Sequence, residues 1–161
     1  MYTHEDMAEV ERLLKKRWRA AAIPAALVLA AGIALFVVGR MNRSDTMWMA
    51  TAALTVLGGG YFLFLYGVWV KPARVYRRHV DYMLNGRMRE TTGVLKSFSE
   101  DVSDREGLEC HAMMLNVGEK DDPEDDRLFY FDALKPWPGW AAGTRLTVKS
   151  NDKMVASITE G

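Results

Sequence analysis

The chain has 161 residues, room for one membrane unit and one small soluble domain, and a formal net charge of zero from 21 basic and 21 acidic side chains. That balance is uneven: residues 1–90 carry 13 Lys/Arg against 7 Asp/Glu, and residues 91–161 carry 8 against 14. The basic half suits anionic lipid headgroups and the acidic half excludes nucleic acid as its partner, while a single cysteine, Cys110, excludes an intramolecular disulfide and a cross-linked extracytoplasmic fold.

The chain opens on Thr3-His4-Glu5-Asp6, which has the form of a capping box, with Lys15, Lys16 and Arg17 where a helix C-terminus would favour cations. Met7, Val10, Leu14 and Trp18 recur at helical spacing on one face, so residues 1–19 read as an amphipathic helix. Residues 20–39 and 47–70 then contain no charged side chain. An apolar helix of about 20 residues matches the ~30 Å hydrocarbon core of a bilayer, so residues 20–70 read as a two-span transmembrane hairpin. The length of the first apolar run, its long lead and Arg40 directly after it argue for a retained anchor rather than a cleaved signal.

Lys and Arg near span ends mark the cytoplasmic side. Arg12, Lys15, Lys16, Arg17 and Arg19 precede the first span, and Lys71, Arg74, Arg77 and Arg78 follow the second, whereas the connecting loop holds Arg40 and Arg43. The expected protein is therefore a multi-pass protein of the cell (inner) membrane with both termini cytoplasmic. Trp18, Trp48 and Trp69 stand at span ends, where indoles favour the headgroup layer. Ala22, Ala26, Ala30 and Ala34 form a small-residue ridge on the first span, and Thr51, Thr55 and Gly59 form one on the second. These ridges are expected to pack the spans together, with homo-oligomerisation as the second reading. No Asp, Glu, Lys, Arg or His lies within either span, which argues against a channel, proton relay or transporter.

Residues 71–90 read as a juxtamembrane helix with Tyr76, Val80, Met83 and Leu84 on one face and a stop at Asn85-Gly86. His4 and His79 have no spaced partners on these helices and are expected at the surface. From residue 91 the period changes to two, and residues 91–161 read as a small cytoplasmic all-β domain. Strands are expected at 92–98, 108–117, 127–132, 145–150 and 153–159, with Val94/Phe98, Leu128/Tyr130, Leu146/Val148 and Met154/Ala156/Ile158 sharing faces. Ser150-Asn151-Asp152 suits a tight hairpin. Five short strands avoid long exposed edges by curling into a closed barrel, and a five-stranded OB-like barrel is one solution.

Order of parts and one hairpin carry a resemblance. Gly143-Thr144-Arg145-Leu146-Thr147-Val148, then Asn151 and the residues from Met154 to Ile158, resemble the terminal hairpin of membrane-anchored OB-domain proteins of the NfeD type. That resemblance implies an OB barrel beside membrane spans, and a role such as assisting membrane scaffold proteins or membrane proteases.

Catalytic chemistry finds little footing. Adjacent side chains on a strand point to opposite faces, so Cys110-His111 does not make a thiolate–imidazole pair. The acidic run Asp121, Asp122, Glu124, Asp125 and Asp126 lacks the glycine turn and ligand alternation of a calcium loop and reads as a solvated turn. No phosphate loop, GxSxG, CxxC or HExxH occurs. Neither a catalytic residue, a cofactor nor a metal is expected. The unusual segment is Pro136-Trp137-Pro138-Gly139-Trp140, since indoles in water forfeit about 25 cal/mol per Å² of apolar surface. Either a tryptophan plugs an open end of the barrel, Trp140 before Trp137, or the loop is a docking knob made of Pro136, Trp137, Pro138 and Trp140. The sequence thus points to a non-enzymatic, membrane-anchored interaction module that presents a small barrel to a protein partner. An accessory subunit of a larger membrane complex, assembled through the hairpin, is the alternative.

Overall fold

The computed structural model describes residues 1–118 and 122–161. The chain forms two compact units, Val10–Arg74 and the pair of segments Met1–Glu9 with Val75–Gly161.

In the first of these, the amphipathic lead and the first apolar run are one helix, α1 (His4–Asn42), which continues through Pro24. Arg43 in the left-handed region (φ 49°) ends it, and the Ser44 N–H returns to the Gly39 carbonyl at 3.1 Å. Helix α2 (Asp45–Leu65) follows, then a π-helical turn Tyr66–Val70, then α3 (Lys71–Asn85). The second span and the juxtamembrane helix are thus continuous. Pro72 lacks an N–H and its ring would crowd a regular turn before it. A wide turn there, with the Lys71 N–H on the Tyr66 carbonyl, lets the helix pass.

α1 and α2 run antiparallel: Phe36 meets Trp48 at one end (6.3 Å between ring centroids) and Trp18 meets Phe62 at the other (6.4 Å). Both helices are long and apolar enough to cross a membrane. Most of each apolar stretch is exposed, Leu27 by 66% and Val56 by 73%, unlike the core helix of a water-soluble domain.

The residues that meet between the helices differ in part from the expected ridges. Ala21 and Thr51 are buried, and a Cβ at Gly58 would come within 2.3 Å of Val28 Cγ1. Ala26, Ala30 and Ala34 are exposed, Ala22 is half-buried, and Thr55 and Gly59 are exposed. Several faces of these helices carry small residues at four-residue spacing, and composition alone does not select among them.

The second unit holds five strands, β1 (Arg89–Arg105), β2 (Leu108–Asn116), β3 (Asp126–Asp132), β4 (Arg145–Asn151) and β5 (Met154–Glu160). They form a mixed sheet closing in a ring, in the order β1-β2-β3-β5-β4 and back to β1. All neighbours are antiparallel except β3 and β5. β1 makes the closure: Arg89 to Val94 pair with β4, and Val94 to Arg105 pair with β2. At this crossing Gly93 is required, because a Cβ there would lie 2.5 Å from the Asn116 carbonyl oxygen. Register shifts at Leu95/Ser97 and Phe98/Val102 coil the strand. β1 begins three residues before the expected strand and runs seven past its end, since the polar stretch after Phe98 still pairs with β2 up to a turn at Glu106-Gly107.

The core is Leu95, Met113, Leu115, Phe129, Phe131, Leu146, Val148 and Val155. Leu146 and Val148 face inward together as expected. Elsewhere the inward face is not the one these pairs mark: Leu128 and Tyr130 share the outer face of β3 while Phe129 and Phe131 fill the core, and on β1 Val94 is exposed and Leu95 buried. On β5 Val155 enters the core, with Ile158 at its edge. Bulges change the parity of β1, and on β3 both faces are apolar, so alternation there does not tell inside from outside. Tyr130 and Asp132 are buried on the opposite face from Phe129 and Phe131, beside Tyr2 and the α3 residues Tyr76 and His79.

Candidate functional site

Two places in the ring-bearing unit bring chemically distinctive side chains together. The first is the mouth beneath the 133–144 connection. Ala133 N–H bonds the Glu109 carbonyl, and Gly143 N–H bonds the Leu95 carbonyl at 2.8 Å, so the loop is fastened at both ends. Gly139 and Gly143 adopt positive φ (84° and 94°), which turns the chain at little steric cost. Trp137 stacks on Phe98 (3.9 Å, 13°) and stands edge-on to Phe131 (5.2 Å) and to Trp140 (5.4 Å). Each such pair contributes ~0.5–1.5 kcal/mol beyond its buried area.

Trp137 and Trp140 are therefore both half-buried against the core. Trp137 packs against the core as Trp140 does, because Phe98 on β1 offers it a flat ring to stack on. Pro136 and Pro138 are exposed. Leu95, Phe98, His111, Trp137 and Trp140 line a shallow hollow of about 650 Å³, with Glu100 and Lys135 beside them.

The second place is a buried polar network on the other face of β3. Asp132, 3% exposed, accepts hydrogen bonds at Oδ2 from the hydroxyls of Tyr2 (2.8 Å) and Tyr76 (3.0 Å), and at Oδ1 from the Leu134 N–H (2.9 Å). Tyr2 Oη also lies 2.8 Å from His79 Nε2. The hydroxyl has one proton and gives it to Asp132, so His79 Nε2–H is the donor here, which assigns the tautomer. Burial, then the Asp132 carboxylate, raise both tyrosine pKa values far above the ordinary range. Burial lowers that of His79, against a smaller pull from Asp132.

The segment that supplies Tyr2 is held by its own cap. Thr3 N–H donates to Asp6 Oδ2 at 2.7 Å and Asp6 N–H to Thr3 Oγ1 at 3.2 Å, the reciprocal pairing expected of the capping box. Asp6 Oδ1 then pairs with Lys135 Nζ at 2.8 Å, and that ammonium lies 5.2 Å from the centre of the Tyr2 ring. The Lys135 bond is the main reason the Asp6 carboxyl sits below the usual carboxylate range.

Beside this network a cleft of about 670 Å³ runs between α3 and the turns that join β1 to β2 and β4 to β5. Arg78, His79, Tyr82, Arg105, Tyr130 and Lys153 are among its walls. The Arg105 guanidinium lies over the Tyr130 ring at 4.3 Å and bonds its hydroxyl. Asp104, Glu106 and Asp152 balance the cations, so the cleft has no single sign of charge.

His79, expected at the surface, is 5% exposed and belongs to this network. Its signal was its place on α3 one position from Val80 and three from Tyr76, on the apolar side. Nothing local in the sequence pointed to Tyr2 or Asp132. Cys110 and His111 diverge as expected: His111 packs on Phe98 (5.3 Å) with its Nδ1 unpartnered, and Cys110 is fully buried. Burial, with Asp132 nearby, pushes the Cys110 thiol up to about 11, which suits a structural thiol.

The expected acidic turn is described in part, since Asp121 lies outside the described residues. Asp122 Oδ1 caps the short helix Pro123–Asp125 through the Glu124 N–H (2.9 Å). Asp126 accepts from Asn116 Nδ2 (2.7 Å) and Lys96 Nζ (3.1 Å), which lowers its pKa. Among the described residues no group of three or more His, Cys or carboxylates is arranged to hold a metal ion. No known family model, curated protein or solved structure matches the chain.

Proposed function

We propose that this protein is a non-enzymatic, membrane-anchored interaction module: its hairpin spans the cell (inner) membrane, both termini are cytoplasmic, and a cytoplasmic OB-like barrel docks a protein partner. The β1-β2-β3-β5-β4 order with one parallel pair supports the OB-like reading, since it is the order of a five-stranded Greek-key barrel. Long exposed apolar helices flanked by cations support the topology.

One observation carries the docking reading, the aromatic mouth of Phe98, Trp137 and Trp140. Its rings are pinned by stacking before any partner arrives. A partner would therefore meet a rigid apolar face beside the exposed Pro136 and Pro138, at little cost in side-chain entropy. On the opposite strand face, where ligands of such barrels commonly bind, Tyr2, Tyr76 and His79 already cover Asp132.

The alternative, an accessory subunit assembled through its hairpin, is favoured by a separate observation. Ala26, Ala30 and Ala34, with Thr55 and Gly59, are exposed, and small residues let a neighbouring membrane helix approach closely.

Substitution separates the two. Trp140→Ala and Trp137→Ala in the full chain, recovered from mild detergent with bound neighbours, should reduce recovery tenfold or more if the mouth docks the partner. An anchor truncation typically removes about 2 kcal/mol of binding. Exchange of both spans for unrelated apolar helices should leave that recovery intact. The converse pattern, loss with the spans and none with the indoles, supports the subunit reading and rejects the docking mouth.

A further inference from the structure

We infer that the basic end of the hairpin is a seat for anionic phospholipid headgroups, with Arg17 and Arg74 as its pre-oriented donors. This rests on the membrane reading and goes beyond it, because a hairpin can cross a bilayer without choosing among lipids.

Lys15, Lys16, Arg17 and Arg19 border the apolar run of α1, and Lys71 and Arg74 follow the π-helical turn. Antiparallel packing gathers them at one end. Trp18 stands edge-on to Tyr66 at 6.1 Å, and Arg17 Nη1 donates to the Trp69 carbonyl at 3.1 Å. The unit Val10–Arg74 contains only Glu11 and Asp45 as acids, and Asp45 lies at the opposite end beside Arg40 and Arg43. Among the described residues none of these six cations forms an ion pair with a carboxylate. Like charges gathered at one end repel one another, and an anionic partner relieves that repulsion.

Two of the six are held in place. Arg17 is tied to the Trp69 carbonyl, while Arg74 Nη1 lies 3.2 Å from the Tyr66 hydroxyl with its guanidinium 5.9 Å from that ring's centre. A guanidinium has five N–H donors, so one bond to the protein leaves the others for phosphate oxygens, in a fork already oriented. Trp18 and Trp69, 42% and 51% exposed, put this end at headgroup depth. Phe64 and Val68, exposed just before it in the chain, offer apolar surface to acyl chains, so the phosphate is that of a lipid rather than a free anion.

The test uses the full chain in mild detergent, titrated with phosphatidylglycerol or phosphatidylcholine of identical acyl chains and followed by native mass spectrometry. Phosphatidylglycerol should bind at least about tenfold more tightly. Arg17→Gln, Arg74→Gln and Lys71→Gln should each weaken it by roughly fivefold, the usual contribution of one basic residue near an anionic surface. Lys71 makes no hydrogen bond through its side chain among those described, so its variant reads charge without disturbing helix packing. Arg40→Gln, at the opposite end, should leave the lipid preference unchanged. Equal affinity for the two lipids, or an Arg40→Gln loss as large as the Arg17→Gln loss, overturns the seat. Displacement of phosphatidylglycerol by millimolar inorganic phosphate overturns its lipid source. A chain that stays soluble without detergent and does not enter phosphatidylcholine vesicles overturns the membrane reading first, and the seat with it.

Discussion

Asp132→Asn keeps the shape of the side chain and reverses half of its hydrogen-bonding sense. Oδ1 must still accept from the Leu134 N–H, so the new NH₂ faces the hydroxyls of Tyr2 and Tyr76, both of which donate to the native carboxylate. A hydroxyl can turn to accept, but the proton it then releases needs a partner, and the Tyr2 oxygen already takes the His79 Nε2–H. Hydrogen bonds to a charged group contribute about 1.5–3 kcal/mol each, so two lost and partly replaced amount to about 2–4 kcal/mol. At 1.4 kcal/mol per decade this is roughly a 30- to 700-fold rise in the open population. Hydrogen–deuterium exchange of the full chain in mild detergent reads it, because core-strand amides exchange through the largest openings. Peptides covering 110–116 and 127–132 should lose protection by that factor. Acceleration confined to residues 1–9, with the strands unchanged, would refute the reasoning: the carboxylate would then only tether the amino-terminal segment.

His79 makes stability depend on pH. Burial keeps it neutral in the fold, so the unfolded chain, with an imidazole near 6.5, takes up the proton first. The contribution is complete above about pH 6.5 and is lost as the pH falls below it, so the denaturation midpoint should drop from pH 7.5 to 5.5 and His79→Gln should flatten that drop; a midpoint that rises on acidification contradicts this. Asp6 and Asp126, lowered by Lys135 and Asn116 respectively, act in the same direction only below about pH 4. In the hairpin, Gly58→Ala forces its methyl onto Val28, whereas Gly59→Ala meets nothing within 4 Å. The first should destabilise helix pairing by about 1–3 kcal/mol and the second should be neutral or favourable by up to ~1 kcal/mol, as read from thermal loss of helicity in detergent; equal effects would mean that the helices meet through another face.

What the sequence determined by itself is what local chemistry decides. Twenty apolar residues in a row make a membrane-capable helix whatever surrounds them, Thr3 and Asp6 cap their own helix, and alternation beyond residue 91 marks five strands near their observed places. Tertiary structure decided everything that depends on what covers a surface. Alternation did not tell which face of β3 points inward, because α3 and the amino-terminal residues cover its outer face as the core covers its inner one. The small-residue ridge that meets the other helix depends on how two helices roll against each other, and Val28 on Gly58 settles that contact where composition offered several. Trp137 packs against the core because Phe98, thirty-nine positions earlier in the chain, presents a flat ring. Tyr2, His79 and Asp132 carried no shared signal, being separated by 77 and 130 positions from the hydroxyl that joins them. A buried hydrogen-bond network is set by proximity in space, and only the closed chain supplies that.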